Sequence, residues 1–288
     1  MKKILSFLSL SLCLFAPMVK ADQAFTLMPY VSSLAYKDSA TKDKGSITGA
    51  YLFWGMGLSN SLEIGAEKAS FTSLTGTQTG QQNTAVYYTY YKSYSNKYRI
   101  GTHGVSGDDS DSDGGRMIGL GTTFSKYGVF SADIDWYRSS YGNYPLYSST
   151  WSSLGSGLVV NQWTPQISFP FDYGKYSAGA SMNLINLSAP AYKSDTSFTS
   201  TTLNAGIYRM RWATTLDLYS GKEAFAVRDS GFTLYNSPTV YKSGYKVEGT
   251  FYYSYQAHFF LSVASRTYEE TAADAVASAT TFKFKYAF

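Results

Sequence analysis

Two histidines and one cysteine are all the soft nucleophile, base and ligand chemistry that the 288 residues contain, at His103, His258 and Cys13. A Ser–His hydrolase needs both side chains on one face of the element that carries them. His103 has Ser106 three positions on. Along an extended strand, where side chains alternate, that spacing turns one of the pair away from the other. His258 falls in an expected turn between Tyr255 and Phe259. One metal-like motif is present. Asp109-Ser110-Asp111-Ser112-Asp113-Gly114 fits the first half of a DxDxDG loop, in which Asp109, Asp111 and Asp113 would offer oxygens to Ca²⁺. Leu120 stands where such a loop needs its bidentate Glu, so a flexible acidic loop is the competing reading, and no other cofactor is expected.

What remains is charge at alternating positions. Acids stand at Glu63, Glu67, Asp133, Asp135, Asp217 and Glu248, and bases at Arg99, Lys246, Arg266, Lys283 and Lys285. Each sits among apolar residues of opposite parity, as in Phe130, Ala132, Ile134 and Trp136 against Ser131, Asp133, Asp135 and Tyr137. A strand that separates the two sets in this way has one apolar and one polar face.

The elements that carry these residues follow an expected secretory signal peptide, residues 1–21. Lys2 and Lys3 precede the apolar run Ile4 to Met18, and Val19-Lys20-Ala21 forms a small-residue cleavage site. Cys13 leaves with it, and Leu12 before it argues against lipidation, so the mature chain has no thiol chemistry. The mature charge is close to balanced, 21 basic against 20 acidic residues, which gives no reason to expect a nucleic-acid partner. After Ala21 no apolar stretch approaches the ~18 residues that a membrane helix needs. Aromatics make up 17% of the chain, with 27 Tyr, a composition that favours strands and suits aromatic girdles.

Fourteen alternating runs can be traced through residues 22–288. Short turns, such as Ser59-Asn60-Ser61 and Lys126-Tyr127-Gly128, alternate with longer loops, of which Ser220 to Gly244 is the longest. Other expected loops are Lys37 to Gly45, the stretch through Asn83, and a long one reaching Ser156. Pro29 and Pro165 each remove a ladder donor, and a local bulge is expected at each. The runs reach the roughly 9–11 residues that cross a bilayer at a tilt. In hydrocarbon an open sheet edge leaves unpaired backbone groups, so the first and last strands must pair. The expected fold is a closed antiparallel transmembrane β-barrel of fourteen strands, with twelve or sixteen as alternatives. An even number puts both termini on the periplasmic side and all seven longer loops outside.

The C-terminal run Thr280 to Phe288 has aromatics at Phe282, Phe284, Tyr286 and Phe288. It resembles the C-terminal β-signal of Gram-negative outer-membrane proteins. The resemblance implies insertion by the barrel-assembly machinery and contact with outer-membrane lipids and lipopolysaccharide. In size the chain is similar to the small fourteen-stranded porins of the OmpG type. No plug domain is expected ahead of the first strand, so a water-filled passage should follow unless loops close it.

Function then turns on the lumen. Glu63, Glu67, Arg99, His103, Asp133, Asp135, Asp217, Lys246, Glu248, Arg266, Lys283 and Lys285 are expected to line it. Asp133 and Asp135 should face Lys283 and Lys285 across water, a transverse field similar to the constriction of general porins; simple solvation of a polar interior is the alternative. The loop Ser220 to Gly244 holds Phe225, Arg228, Phe232 and Tyr235, too apolar for full solvation. It is read as a gate through Arg228 and Phe232 or as a cover on the rim. The leading reading is a channel for passive diffusion of small hydrophilic solutes. The alternatives are a surface adhesin or structural barrel and, further off, a lipid hydrolase. Outer-membrane phospholipases carry His-x-Ser, from which His103 and Ser106 depart.

Overall fold

Alternation is what folds this chain. Ile100, Ile118, Leu120, Ile134, Leu203, Leu218, Leu261 and Val263 stand exposed on the outer surface, each beside an inward polar or small residue. The computed structural model describes residues 23–108, 113–147, 153–190, 195–235, 237, 239–270 and 274–288. The expected signal peptide lies outside them.

The barrel wall begins with β1 (Gln23–Lys37), β2 (Lys42–Met56), β3 (Asn60–Ser73), β4 (Gln78–Tyr91) and β5 (Asn96–Gly107). It continues through β6 (Arg116–Lys126), β7 (Phe130–Tyr147), β8 (Ser153–Phe171), β9 (Tyr176–Leu187), β10 (Ser197–Tyr208) and β11 (Trp212–Gly221). Two short strands, β12 (Val227–Arg228) and β13 (Thr233–Leu234), form a separate hairpin. The wall then resumes with β14 (Tyr241–Tyr252), β15 (Ala257–Glu269) and β16 (Asp274–Ala287). Fourteen strands close one antiparallel barrel, neighbour to neighbour, with β16 pairing back onto β1. Tyr30 opposes Lys283 across that seam, and the Phe288 amide donates to the Phe25 carbonyl at 2.9 Å. No wall edge is left for water or lipid to satisfy.

Both termini and the short turns share one end, the turn end; the longer connections share the other, the loop end. The C-terminal aromatics run up the outside as a continuous ladder. Phe259 meets Phe284 at 5.1 Å, Phe284 meets Tyr286 at 6.4 Å and Tyr286 meets Phe288 at 4.9 Å. Tyr94, Tyr127, Tyr173, Tyr253 and Tyr255 ring the turn end, fully or largely exposed.

Two sequence expectations need correction. The loops expected around Lys37–Gly45, before Asn83 and up to Ser156 are mostly strand: β2 starts at Lys42, β4 at Gln78, and β7 and β8 run for 18 and 19 residues. These loop-end stretches pair through their backbones although their side chains lack the regular outward apolar alternation of the strands' other ends. The bulges expected at Pro29 and Pro165 are absent, because the register on either side of each is unbroken. Each proline drops its own ladder bond and the flanking pairs hold the strand in place. Bulges fall instead at Lys42/Lys44, Tyr141/Pro145, Leu146/Tyr147 and Tyr241/Gly244.

Candidate functional site

The connection from β11 to β14 turns into the barrel. Gly221 makes the turn possible: its φ is +86°, and a Cβ there would lie 2.4 Å from the Thr199 carbonyl oxygen. The Lys222 amide then donates to Thr199 O at 2.9 Å, and Glu223 exchanges both backbone bonds with Tyr241. Glu223 is completely buried. Its carboxylate accepts from Arg228 Nε at 2.8 Å, Ser200 Oγ at 2.7 Å and Asn183 Nδ2 at 3.3 Å, and also from Arg228 Nη2 and Arg266 Nη1. Burial alone would push the Glu223 carboxyl up, but the two guanidiniums override it and hold it at about 2. An acid paired and hydrogen-bonded on every side is a latch at the loop's root.

Beyond the latch the loop becomes part of a core inside the lumen. Ala224, Phe225 and Ala226 pack with Tyr141, Leu158, Val160, Ile185, Leu187 and Phe198, which point inward from β7 to β10. Gln162 on β8 imitates a strand partner: its Nε2 donates to Val227 O at 2.7 Å, and the Val227 amide donates to its Oε1 at 2.8 Å. The β12–β13 hairpin then carries the chain to the far wall, with its tip held in left-handed backbone at Asp229 (φ 49°), Ser230 (φ 55°) and Gly231 (φ 92°). Two consecutive non-glycine residues in that region persist only where surrounding contacts enforce them.

Those contacts come from β2 to β5, four to seven strands round the ring from the loop's root. Arg99 donates to the Ser230 carbonyl, and His103 Nδ1 lies 3.0 Å from the Gly231 carbonyl. The Phe232 ring sits 5.2 Å from Tyr51 and 5.1 Å from Tyr87. It packs over Gly65, where a Cβ would come within 2.8 Å of the ring. Arg99 in turn lies 3.7 Å above the Tyr87 ring. The loop therefore spans the diameter of the lumen and is fastened at both ends. Arg228 belongs to its root and Phe232 to its tip, so the loop folds inward rather than over the rim.

The charged residues read from alternation are found around this crossing. Arg99 pairs with Glu63 at 3.2 Å, and Glu67 accepts from Tyr30 and Asn83, each at 2.7 Å. Lys283 pairs with Glu248 at 2.8 Å, and Thr123 donates to Asp133. Asp135, Asp217, Lys246, Arg266 and Lys283 border one cavity of about 630 Å³. Lys285 lies opposite His258 at the turn end of β16. The loop crosses between the Asp133/Asp135 wall and the Lys283/Lys285 wall and puts a carboxylate of its own in the gap. Desolvation would raise the Asp229 carboxyl, but Lys246, the Thr233 hydroxyl, Arg228 and Lys283 hold it below the usual carboxylate range.

A second cavity of about 560 Å³ lies toward the loop end and is lined more by apolar and aromatic side chains, Leu34, Tyr36 and Phe71 among them. The two cavities share Ser32, Ile47, Glu67, Asn83, Thr233 and Thr281 and so adjoin beside β1 to β3, β16 and the inserted hairpin. Glu223, Gln162, Tyr87 and Gly231 complete the site and were not singled out from sequence. Glu223 alone carried a signal, a lone acid ahead of the apolar run Ala224 to Val227 in a connecting segment.

The other chemistry-bearing residues do not assemble. His103 faces the loop, whereas Ser106 is exposed and His258 falls within β15 rather than in the expected turn, edge-on to the Tyr252 ring at 4.9 Å. Asp109 and Asp111 lie outside the described residues, and Asp113 Oδ1 accepts from the Gly107 amide at 3.0 Å. Among the described residues no group of three His, Cys, Asp or Glu side chains is placed to hold a metal.

A closed fourteen-stranded barrel with a loop inserted across its lumen defines the architectural class. No protein-family model matches the sequence, and neither does any curated protein. Among solved structures the fold is similar to the CymD monoaromatic hydrocarbon channel, with a TM-score of 0.61 and 9% identity over 94% of this chain and 89% of that one. It is also similar to the Pseudomonas putida toluene transporter TodX (TM-score 0.58, 9% identity, 94% and 90% covered). The Ralstonia pickettii toluene transporter TbuX matches at a TM-score of 0.57 and 10% identity, with 94% and 90% covered. At such identities the likeness is one of fold.

Proposed function

We propose that this chain is an integral outer-membrane channel in which the inserted loop sets the conducting path, and that it passes small hydrophilic solutes by diffusion. The observation that carries this reading is a lumen crossed but not filled. The loop packs tightly on the loop-end parts of β7 to β10, and two adjoining cavities remain, one bordered by strands on both sides of the loop and the other beside β1 to β4 and β14 to β16. The apolar exterior and the paired β1–β16 seam support residence in a bilayer, in contact with outer-membrane lipids and lipopolysaccharide. The outward ladder Phe282, Phe284, Tyr286 and Phe288 supports delivery by the barrel-assembly machinery.

Asp135, Asp217, Lys246, Lys283 and the loop's Asp229 favour polar solutes on the turn side, since apolar ones gain nothing from a charged, hydrated wall. A second reading, a solute with an apolar body, is favoured by the lining of the loop-end cavity and by the hydrocarbon channels and transporters of similar fold. Purified protein in a planar bilayer tests the channel itself. Stepwise conductance is expected, with ion preference shifted toward cations in Lys283→Glu. Silence at every voltage would overturn the channel and favour an adhesive or structural barrel.

A further inference from the structure

We infer that the loop-end cavity is a binding site for a small aromatic carboxylate, with the carboxylate on Lys42 and the ring against the tyrosines and apolar residues of the chamber. The inference rests on the channel reading for the ligand's route and names a class of solute for it.

Two of the four bulges in the wall open onto this cavity. On β2 the register slips between Lys42 and Lys44, and Lys42, opposite Ser73, borders the chamber while Asp43 and Lys44 stay at the surface. On β14 it slips between Tyr241 and Gly244, and Tyr241 borders the same chamber. A bulge redirects a side chain at the expense of regular pairing, and two converging on one cavity mark it as shaped.

Lys42 is distinguished by what it lacks. At this end Lys222 and Lys242 both reach Glu269, at 2.9 and 3.2 Å, and Lys242 also reaches Asp274 at 3.0 Å. Arg266, which also borders the chamber, is committed to Glu223. Among the described residues Lys42 has no carboxylate within ion-pair distance. The acid acting on it, Glu270, accepts from the Ser39, Thr41 and Tyr268 hydroxyls and from the Ala40 amide. The Lys42 ammonium instead lies 5.5 Å from the Tyr36 ring centre and 5.6 Å from that of Tyr268.

This arrangement selects among ligands. A cation would meet Lys42 already occupying the aromatic faces. A neutral hydrocarbon would dehydrate the ammonium without giving it a partner. A carboxylate supplies that partner. The ring finds Tyr36 and Tyr241, which border the chamber and each rest against the buried Tyr268 ring behind them, at 6.3 and 5.8 Å, an arrangement a further aromatic extends. Leu34, Ile47 and Phe71 complete the apolar side.

Titration calorimetry of the purified barrel with benzoate, benzyl alcohol, benzylamine and acetate tests the assignment. Benzoate is expected to bind more tightly than the other three. Lys42→Met, which keeps the alkyl stem, should weaken benzoate about tenfold and leave benzyl alcohol unchanged, while Lys42→Arg should retain benzoate. Heat-modifiable electrophoretic mobility confirms that each variant is a folded barrel. Equal affinity for benzoate and acetate, or benzoate binding indifferent to Lys42→Met, would overturn the site even if the protein conducts. Benzoate binding that depends on Lys42 in a barrel that never conducts would keep the site and overturn the channel.

Discussion

The inner faces of β7–β10 and of β16, β1, β2 and β3 do opposite things with the same strand geometry. On the first wall, Tyr141, Leu158, Val160, Ile185, Leu187 and Phe198 turn the lumen into a core that grips the loop. On the second, Tyr30, Ser32, Ile47, Glu67, Thr281 and Lys283 border open cavity. An inward-facing position in a barrel is therefore not polar by rule. It is polar where water remains and apolar where the chain folds back to exclude it. The loop is thereby fastened at root and tip, with a packed core along one flank and open cavity along the other.

The latch should break this contrast most completely. Glu223→Ala leaves Arg228 and Arg266 buried without their carboxylate, a loss of about 3–5 kcal/mol for this kind of pair. Limited trypsinolysis should then cut the folded barrel at Arg228, where the wild type resists. Next comes the grip itself. Phe225→Ala should cost loop docking about 3 kcal/mol, whereas Leu34→Ala on the open wall should cost under about 1. Hydrogen exchange of the loop amides distinguishes the two. If both variants exchange alike, the walls do not differ.

A smaller effect belongs to the tip. Phe232→Ala removes two aromatic contacts, each worth about 0.5–1.5 kcal/mol beyond its buried area, and should make single-channel current noisier without detaching the root. The smallest effect concerns pH. Because the Glu223 carboxyl is held at about 2, below its ordinary value, its contribution is fully present above that ordinary value and fades only as pH falls toward 2. Conductance should therefore be flat from neutral pH down to about 5 with respect to this latch. A step within that range would mean that another group controls the loop.

The strands were the legible part of the sequence, because the wall sets apolar side chains on its outer face against polar or small ones within. Tyr176–Leu187 is marked at both ends by the change from alternation to turn residues. Parity likewise placed Glu63, Arg99, Asp217 and Lys246 on the inner face. Legibility stopped toward the loop end. The loop-end extensions of β7 and β8 answer to water and to the inserted loop, so their pattern has no outside partner to betray it. Leu158 and Val160 alternate like membrane-facing residues but face inward, buried by Phe225. The loop's apolar residues showed that it must be covered; only the position of Gln162, Arg99 and His103 in space decides by what.

On the channel reading, control of the passage's size by the inserted loop is the point on which everything else depends. It is tested most directly by single-channel conductance of the wild type beside a variant in which residues 224–239 are replaced by a short Gly-Ser turn. Discrete steps are expected in both, severalfold larger in the variant, with larger uncharged polymers gaining access to the pore. Steps of equal size in the two proteins would contradict it.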